Sequence, residues 1–542
     1  MKTRSKYLGV LALAPFLGSA AYGATITGTV NAPDGAPFRG AFVQAQNTST
    51  KIMVSVLSDK QGRYRIENLP AGPYQLQVRA VGYRADPRQG VSLTTDQSAS
   101  YAFALQKGMV GWNDISQYQG TMLFPAAQGN TVLKGKEILV ARCFACHGFQ
   151  TRMASFKRDE DGWRDRVNFM RGAMHFFLDS AQPFTDQNAN DVTSYINLLF
   201  GEDSVLPQSP ADMPGYKNLV RSFGDDAMKI VYVEYDVPRP NRMPWSAAPD
   251  KDGNFWIPDY GAANRIARLD PKTGAVQEYR VPNQGTAAIH SAVPAPDGSV
   301  WLTEQGANKL GRWDPRTQTI TEYQDTYLPG KEGVTRGGDK HTLRVDSQGR
   351  VWATGRPLTV FDPKTRQFTK IAEVPTAYGL ALDKDGNLWF AEYTENGKIG
   401  KVDGKTLHVT KWALPTADGR PRRIQIDSDG TVWFAEFKSG AIGRFDPKTE
   451  TIKEYALPGP EATPYALGID RNHTVWYSSE HMDVIGNLDP KTGHVTEYPF
   501  PQSENTMREF FTDAQGRMWF GSPANNKVGY FYLVGASERA GK

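Results

Sequence analysis

From residue 25 to about 107, apolar and polar residues alternate in short runs such as Ile26-Thr27-Gly28-Thr29-Val30 and Tyr74-Gln75-Leu76-Gln77-Val78, separated by Gly, Pro and Asp turns. A period of two with frequent turns predicts a small β-sandwich. Between 130 and about 202 the spacing becomes helical. Val132, Ile138 and Leu139 fall in one run, and Val192, Tyr195, Ile196 and Leu199 follow an i, i+3, i+4, i+7 rule, with Thr185 placed to cap that last helix. A Pro-rich polar stretch from Leu206 to Gly215 then leads into a repeat built on one tryptophan per unit. Trp256, Trp301, Trp352, Trp389, Trp433, Trp476 and Trp519 stand 45, 51, 37, 44, 43 and 43 residues apart. Each follows a turn and a strand, as in Asp429-Gly430-Thr431-Val432-Trp433, and several precede an outer strand such as Ile452-Lys453-Glu454-Tyr455. Four short strands in roughly 40–45 residues make a β-propeller blade, and seven units predict seven blades. The last unit lacks its outer strand, and a matching segment, Ile230 to Pro238, precedes the first. Donating it would close the ring and hide an open edge.

The expected fold class is therefore multidomain and mostly β, with one small all-α unit. The boundaries read as a signal peptide over 1–24, a β-sandwich over 25–107, a linker over 108–129, the helical unit over 130–202, a linker over 203–228 and the propeller over 229–535. The signal rests on a basic start (Lys2, Arg4, Lys6), an apolar run from Tyr7 to Leu17 and small residues to Ala24. It predicts export, to the periplasm or beyond the cell, and no later stretch is long and apolar enough for a membrane span. Net charge is +4, from 62 basic and 58 acidic residues. So even a balance gives no footprint for a nucleic acid.

The only cysteines, Cys143 and Cys146, lie in Cys143-Phe144-Ala145-Cys146-His147. That excludes a disulfide framework and a four-cysteine metal site. Cys-x-x-Cys-His in an exported chain is the attachment signature of one covalent haem c: two thioethers from the cysteines and the proximal iron ligand from His147. A thioredoxin-like pair is the alternative, and the adjacent histidine, the helical flanks and the missing βαβ pattern weigh against it. Met153, Met170, Met174 and His175 are candidates for the sixth ligand, although Met153 follows His147 by only six residues.

Superposing the units on their tryptophans predicts what lines the channel. Eleven residues before each Trp, at the start of the innermost strand, stand Trp245, His290, His341, Tyr378, Arg422, Tyr465 and Arg508. Three residues after it stand Asp259, Glu304, Gly355, Glu392, Glu436, Ser479 and Ser522. A ring of imidazoles, guanidinia and aromatic rings backed by carboxylates suits a substrate or ligand that is anionic or aromatic. Strand capping and ion pairing between blades is the plainer account of the same residues.

Three resemblances attach to these residues. Gly28-Thr29-Val30, Gly40-Ala41-Phe42-Val43 and the run from Ser58 to Tyr74 resemble the carboxypeptidase regulatory-like domain family, which implies an accessory module and, with no ionisable cluster, a spacer. Residues 143 to 200 resemble a short class I-type cytochrome c domain, in which a helix like Trp163 to Met170 carries the methionine ligand; this favours Met170, with Met174 next. Residues 229 to 533 resemble the streptogramin (virginiamycin B) lyase family, through Asp-Gly-x-x-Trp-Phe-x-Glu at Asp385 to Glu392 and Asp429 to Glu436, and Ile-Gly-Arg-x-Asp-Pro-x-Thr at Ile442 to Thr449. Lyases of that family open a depsipeptide ester by elimination with a histidine base, glutamates and a magnesium ion, which implies catalytic roles for His290, His341 and Glu304 and a divalent metal at that face; Asp339 precedes His341 by two. The pattern departs at Gly355, where no carboxylate completes the pair with His341.

Three functions follow. The first is an exported cytochrome whose propeller binds a substrate or a periplasmic redox partner protein, acting as an oxidoreductase or as its electron-accepting subunit. A metal-dependent carbon–oxygen lyase is the second. The third is a non-catalytic binding propeller within an electron-transfer complex. No G-x-G-x-x-G opens a helix after a strand, so no dinucleotide site is expected.

Overall fold

The computed structural model describes residues 23–125, 130–145, 147–173, 183–238, 243–325 and 340–535. Most of the expected signal peptide, and with it Cys146, Met174, His175 and Asp339, lie outside the described residues.

Seven four-stranded antiparallel units follow one another around the propeller. Blade 2 shows the plan: Ile289–Pro294 innermost, then Val300–Glu304, Lys309–Trp313 and Ile320–Gln324 outermost. The repeated tryptophan is buried between sheets, and its indole N–H needs a partner there. An aspartate six residues earlier supplies it. Trp256, Trp352, Trp389, Trp476 and Trp519 donate to Asp250, Asp346, Asp383, Asp470 and Asp513 at 3.1, 3.0, 3.0, 2.9 and 2.7 Å. The same aspartates accept backbone N–H groups of their own turn, as Asp346 does from Gln348 and Arg350 at 3.0 and 2.9 Å. One side chain thus fixes a turn and orients the blade's largest core residue. Blade 2 has Ala295 at this position, and in blade 5 Asp427 instead meets His473 Nδ1 at 2.9 Å.

Closure involves two domains. Ile230–Asp236 pairs antiparallel with Lys527–Leu533, from Ile230 opposite Leu533 to Asp236 opposite Lys527. Its other edge pairs with Met53–Leu57 of the N-terminal domain, Val231 opposite Val56 and Val233 opposite Val54. Blade 7 and one sheet of the sandwich are therefore a single sheet of eight strands. The other sandwich sheet holds Arg63–Leu69, Ala24–Asn31 and Ser98–Ala104, and Ile26, Val43, Ala45, Ile66 and Leu76 fill the space between the two. The domain expected to be a spacer is instead hydrogen-bonded into the propeller's closing strand.

The helical body comprises Gln117–Leu123, Asn130–Ile138, Glu160–Ala173, Asp186–Phe200 and Tyr216–Leu219. Thr185 Oγ1 caps the longest helix by accepting the Asn188 N–H at 3.2 Å. Most of the stretches read as linkers, 108–125 and 203–219, belongs to this body: Trp112, Ile115, Phe124 and Tyr216 share its core with Phe149, Tyr195 and Phe200, and Trp112 Nε1 donates to Pro207 O at 2.9 Å. Their polar, Pro-rich composition hid a few large aromatic anchors.

Asp346→Ala leaves the buried Trp352 N–H and two turn amides without an acceptor, and a loss of about 3 kcal/mol is expected in denaturant unfolding. Removing residues 24–107 exposes one edge of Ile230–Asp236, and light scattering should then detect self-association that the full chain lacks.

Candidate functional site

The seven positions expected to ring the channel mouth do converge there. Ring centroids of Trp245 and His290 lie 5.6 Å apart, those of His290 and His341 3.6 Å, and those of His341 and Tyr378 4.1 Å. Arg422 Nη2 donates to Tyr378 Oη at 3.1 Å and its guanidinium lies 3.6 Å from the Tyr465 ring centre; Arg508 bridges Tyr465 and Trp245 at 4.5 and 5.1 Å. The ring closes on itself as a packed plug: Trp245, His290, His341, Arg422, Tyr465 and Arg508 are 3, 1, 8, 3, 1 and 0 % exposed, and Tyr378 is half-buried.

Local backbone irregularities make this packing achievable. In blades 2, 5 and 6 the innermost strand slips register just after it starts, between Ile289 and Ala292, Pro421 and Ile424, and Pro464 and Leu467. Such bulges re-aim side chains. They bring Arg423 to the hub beside Arg422, where it donates to Arg508 O and Thr342 Oγ1, each at 2.8 Å. Hydroxyls two residues after the blade tryptophan satisfy the backbone nearby. Thr303 Oγ1 accepts from Ser291 N and donates to His341 O, both at 3.0 Å, and Thr354 Oγ1 accepts from His341 N at 2.7 Å.

The hub is cationic, and its histidines are neutral. Burial pushes His290 and His341 well below the usual imidazole range; His341 and then Arg423 add to this at His290, and Arg423 and Arg422 at His341. Among the described residues His290 Nε2 has no hydrogen-bond partner.

The carboxylates expected to back the ring turn into their own blades instead. Glu304 does not pair with His290 but faces Glu322 of its own blade, and burial and then the Glu322 carboxylate push its pKa up to about 8 against the pull of Lys309. Glu392 binds Lys411 Nζ at 2.7 Å. Glu436 accepts from Ser439 Oγ at 2.8 Å, with a pKa raised to about 7 chiefly by burial. The end of the second strand faces the outer strands of its own blade, so the superposition gave the correct height but the wrong direction. Among the described residues no group of three His, Cys, Asp or Glu side chains could hold a metal ion.

Above the plug sits the helical body. Trp245, Tyr260 and Ala288 of the propeller belong to its hydrophobic core, and Tyr118 N donates to His481 O at 2.8 Å. Between the two bodies lies a cavity of about 690 Å³. The Cys-x-x-Cys-His segment and the helix Glu160–Ala173 form one side, with Cys143, His147, Val167 and Met170 on the lining; Met153 reaches it too. Small residues of blades 1 and 7, Gly261 to Ala263 and Pro523-Ala524, form the other. Three buried donors at this cavity have no hydrogen-bond partner among the described residues: Arg152 Nε, Arg158 Nη1 and Trp163 Nε1. His147 is 8 % exposed; burial and then Arg152 push it down to about 4, with a smaller push from Arg508 of the hub.

Residues 363–539 match the model of the virginiamycin B lyase family, and residues 25–106 that of the carboxypeptidase regulatory-like domain. The propeller is virginiamycin B lyase-like. A streptogramin B lyase structure is 25 % identical over 57 % of this chain and 100 % of its own, with a TM-score of 0.50. Selenomethionine-substituted virginiamycin B lyase from Staphylococcus aureus is 23 % identical over 56 % of this chain and 100 % of its own, also at 0.50. No curated protein matches the chain.

Sequence reasoning missed the residues that join the two bodies. Glu480 and Glu504 are buried and Asp483 half-buried under the helical body, and Glu480 ion-pairs with Arg508. The one signal for them was the polar run Ser503-Glu504-Asn505-Thr506 immediately before a ring position.

Because Glu304 is protonated more readily in the folded chain than in the unfolded one, its contribution is favourable below about pH 4.5 and is lost as pH rises towards 8. Glu304→Gln should match the wild-type melting temperature near pH 5 and exceed it at pH 8, as thermal melts at the two pH values will read.

Proposed function

We propose that the chain is an exported c-type cytochrome with a lyase-like propeller, acting in periplasmic electron transfer as an oxidoreductase or its electron-accepting subunit. The observation that carries this reading is the single cavity on which Cys143, His147 and Met170 all open. Cys143 and Cys146 would hold one haem c covalently, with His147 and Met170 on its iron. The fit is chemical as well as spatial. Val167, Ile196, Phe184 and Met153 offer apolar walls for a flat macrocycle, and the unpartnered N–H groups of Arg152, Arg158 and Trp163 suit its carboxylates. Met153 lies in the turn Gln150–Ala154 directly after His147, whereas Met170 reaches the same cavity from a separate helix and would be free to meet the iron independently of the His147 loop. Haem c supplies reversible one-electron chemistry when bound.

The chain's own residues then have definable tasks. His147 is neutral, leaving a nitrogen lone pair for a metal. Blades 1 and 7 close the cavity mainly with small residues, Gly261 to Ala263 and Pro523-Ala524, beside Met243 and Asn526, which leaves room for a bulky group. Phe156 and Phe169 stand 50 and 54 % exposed at the cavity with Arg158 and Arg166 over their rings at 4.7 and 5.9 Å. An apolar, cationic rim of this kind suits an acidic redox partner or an anionic electron donor.

A second reading is supported by the unpartnered Nε2 of His290 and by relatives whose names are those of lyases. In it His290 takes a carbon-bound proton from an ester, as a neutral imidazole can, after the helical body has left the propeller face.

Expressed with a haem-attachment apparatus, the full chain should carry one haem that survives acid–acetone extraction, quantified by its pyridine haemochrome. Met170→Ala should lower the reduction potential and convert the ferric spectrum to high spin, with Met153→Ala leaving both near wild type. Absence of covalent haem would sink the first reading, and ester opening that His290→Ala abolishes would establish the second.

A further inference from the structure

We infer that Glu504 of the propeller is a positioning residue for His147, so that a side chain outside the helical body completes the haem site proposed above. The inference rests on that proposal. It starts from how the loop after His147 is held. Glu504 Oε1 accepts the Gly148 N–H at 3.0 Å, and Oε2 accepts both the Thr151 N–H and the Thr151 hydroxyl, at 2.8 and 2.7 Å. Glu504 is itself 2 % exposed, and its backbone is fixed from below: Asp483 accepts the N–H groups of Glu504 and Asn505 at 3.1 and 2.5 Å.

Gly148 transmits this grip to the imidazole. Its carbonyl lies 2.7 Å from His147 Nδ1. A carbonyl oxygen only accepts, so Nδ1 carries the proton and Nε2 of the neutral ring keeps its lone pair. One residue is thus bound at both ends, by its N–H to the propeller and by its C=O to the ring whose orientation matters. The fit is close: a Cβ at 148 would stand 2.1 Å from Gln150 Oε1 and 3.1 Å from Glu504 Cγ, so a larger residue would have to displace Gln150 and press on Glu504. Rotating the loop would strip three donors from a buried carboxylate, an expensive loss, so the ring is held more firmly than the helical body alone could hold it. Partners of a metal-bound histidine commonly change metal affinity or activity by 10- to 100-fold.

The test uses the full chain with haem attached, comparing wild type, Glu504→Ala, Glu504→Gln and Thr151→Ala at pH 8. Haem content is measured first, by pyridine haemochrome, and then potentiometric midpoints and ferric electron paramagnetic resonance. Glu504→Ala should shift the one-electron reduction equilibrium at least tenfold, about 59 mV, upward because an anion that favours the ferric state is lost. Its resonance should broaden into more than one ring orientation. Glu504→Gln, which keeps one acceptor, should shift less, and Thr151→Ala less again with the same sign. Wild-type midpoint and resonance in Glu504→Ala with haem retained would overturn the inference. If that variant fails to fold, unchanged values in both milder variants would overturn it. A wild-type chain without covalent haem defeats the haem reading and this inference with it, at the first measurement rather than the second.

Discussion

The strand Ile230–Asp236 is hydrogen-bonded along both edges, and the rest of the molecule is arranged around that fact. One edge closes the seventh blade, and the other carries the sandwich. Its side chains then reach a third structure, the segment between the sixth and seventh blades. Tyr232 Oη donates to Pro499 O at 2.7 Å, and Glu234 accepts from Gln502 Nε2 at 3.0 Å. Two residues past Gln502 comes Glu504, bound to the loop of His147, and four further on comes Arg508, buried in the hub. Ring closure, domain attachment and the grip on the Cys-x-x-Cys-His segment are therefore one continuous hydrogen-bonded structure. An edge strand that would otherwise invite aggregation becomes the central beam.

The hub poses the opposite problem, because three guanidinia are buried within a few ångströms of one another. Arg508 has a carboxylate partner in Glu480, and Arg423 donates to Arg508 O and Thr342 Oγ1. Arg422 is treated differently: the ring centres of Tyr378, Tyr393, Phe437 and Tyr465 lie 4.9, 4.5, 4.4 and 3.6 Å from its guanidinium. Aromatic faces are weaker partners than carboxylates but cost little to desolvate. This environment also explains the neutral histidines, since a charged imidazole beside these cations would be costly. Positive charge beneath the loop of His147 opposes any further positive charge above it, which on the proposed reading favours the ferrous state.

Much of this was legible in the sequence, for identifiable reasons. The tryptophan period marks the blades because each blade repeats one packing problem, and the missing outer strand marks the closure because an unpaired edge must be covered. Converging ring residues were readable from position alone, since every blade starts its innermost strand at the same end. Side-chain direction was not: Glu304, Glu392 and Glu436 share that height yet turn into their own blades, where Glu392 meets Lys411 and Glu436 meets Ser439. Nor could spacing reveal that Met53–Leu57 would pair with a strand more than 170 residues later, or that Glu504 would reach Gly148 across 356 positions. Contacts between domains leave no periodic trace in either partner.

The docking of the helical body bears on both proposed uses of the propeller face. An open face at the hub would offer His290 to a substrate, as the lyase-like reading requires. Here that face is roofed by a hydrophobic core containing Trp245 and Tyr260, whose rings stack with centroids 4.2 Å apart. Exposing two such side chains costs about 1.5–3 kcal/mol each. Releasing Glu504 would also break three hydrogen bonds to a carboxylate, at roughly 1.5–3 kcal/mol apiece. Even the lower figures sum to about 7.5 kcal/mol, which holds the opened form below one molecule in ten thousand. A slow enzyme could tolerate that population, but a simpler use of the same surfaces needs no opening at all. The propeller then supplies one wall of the cavity, the side chain that grips the His147 loop and the cations beneath it, and the seven-bladed ring works as the rigid half of a site whose chemistry sits on the helical side.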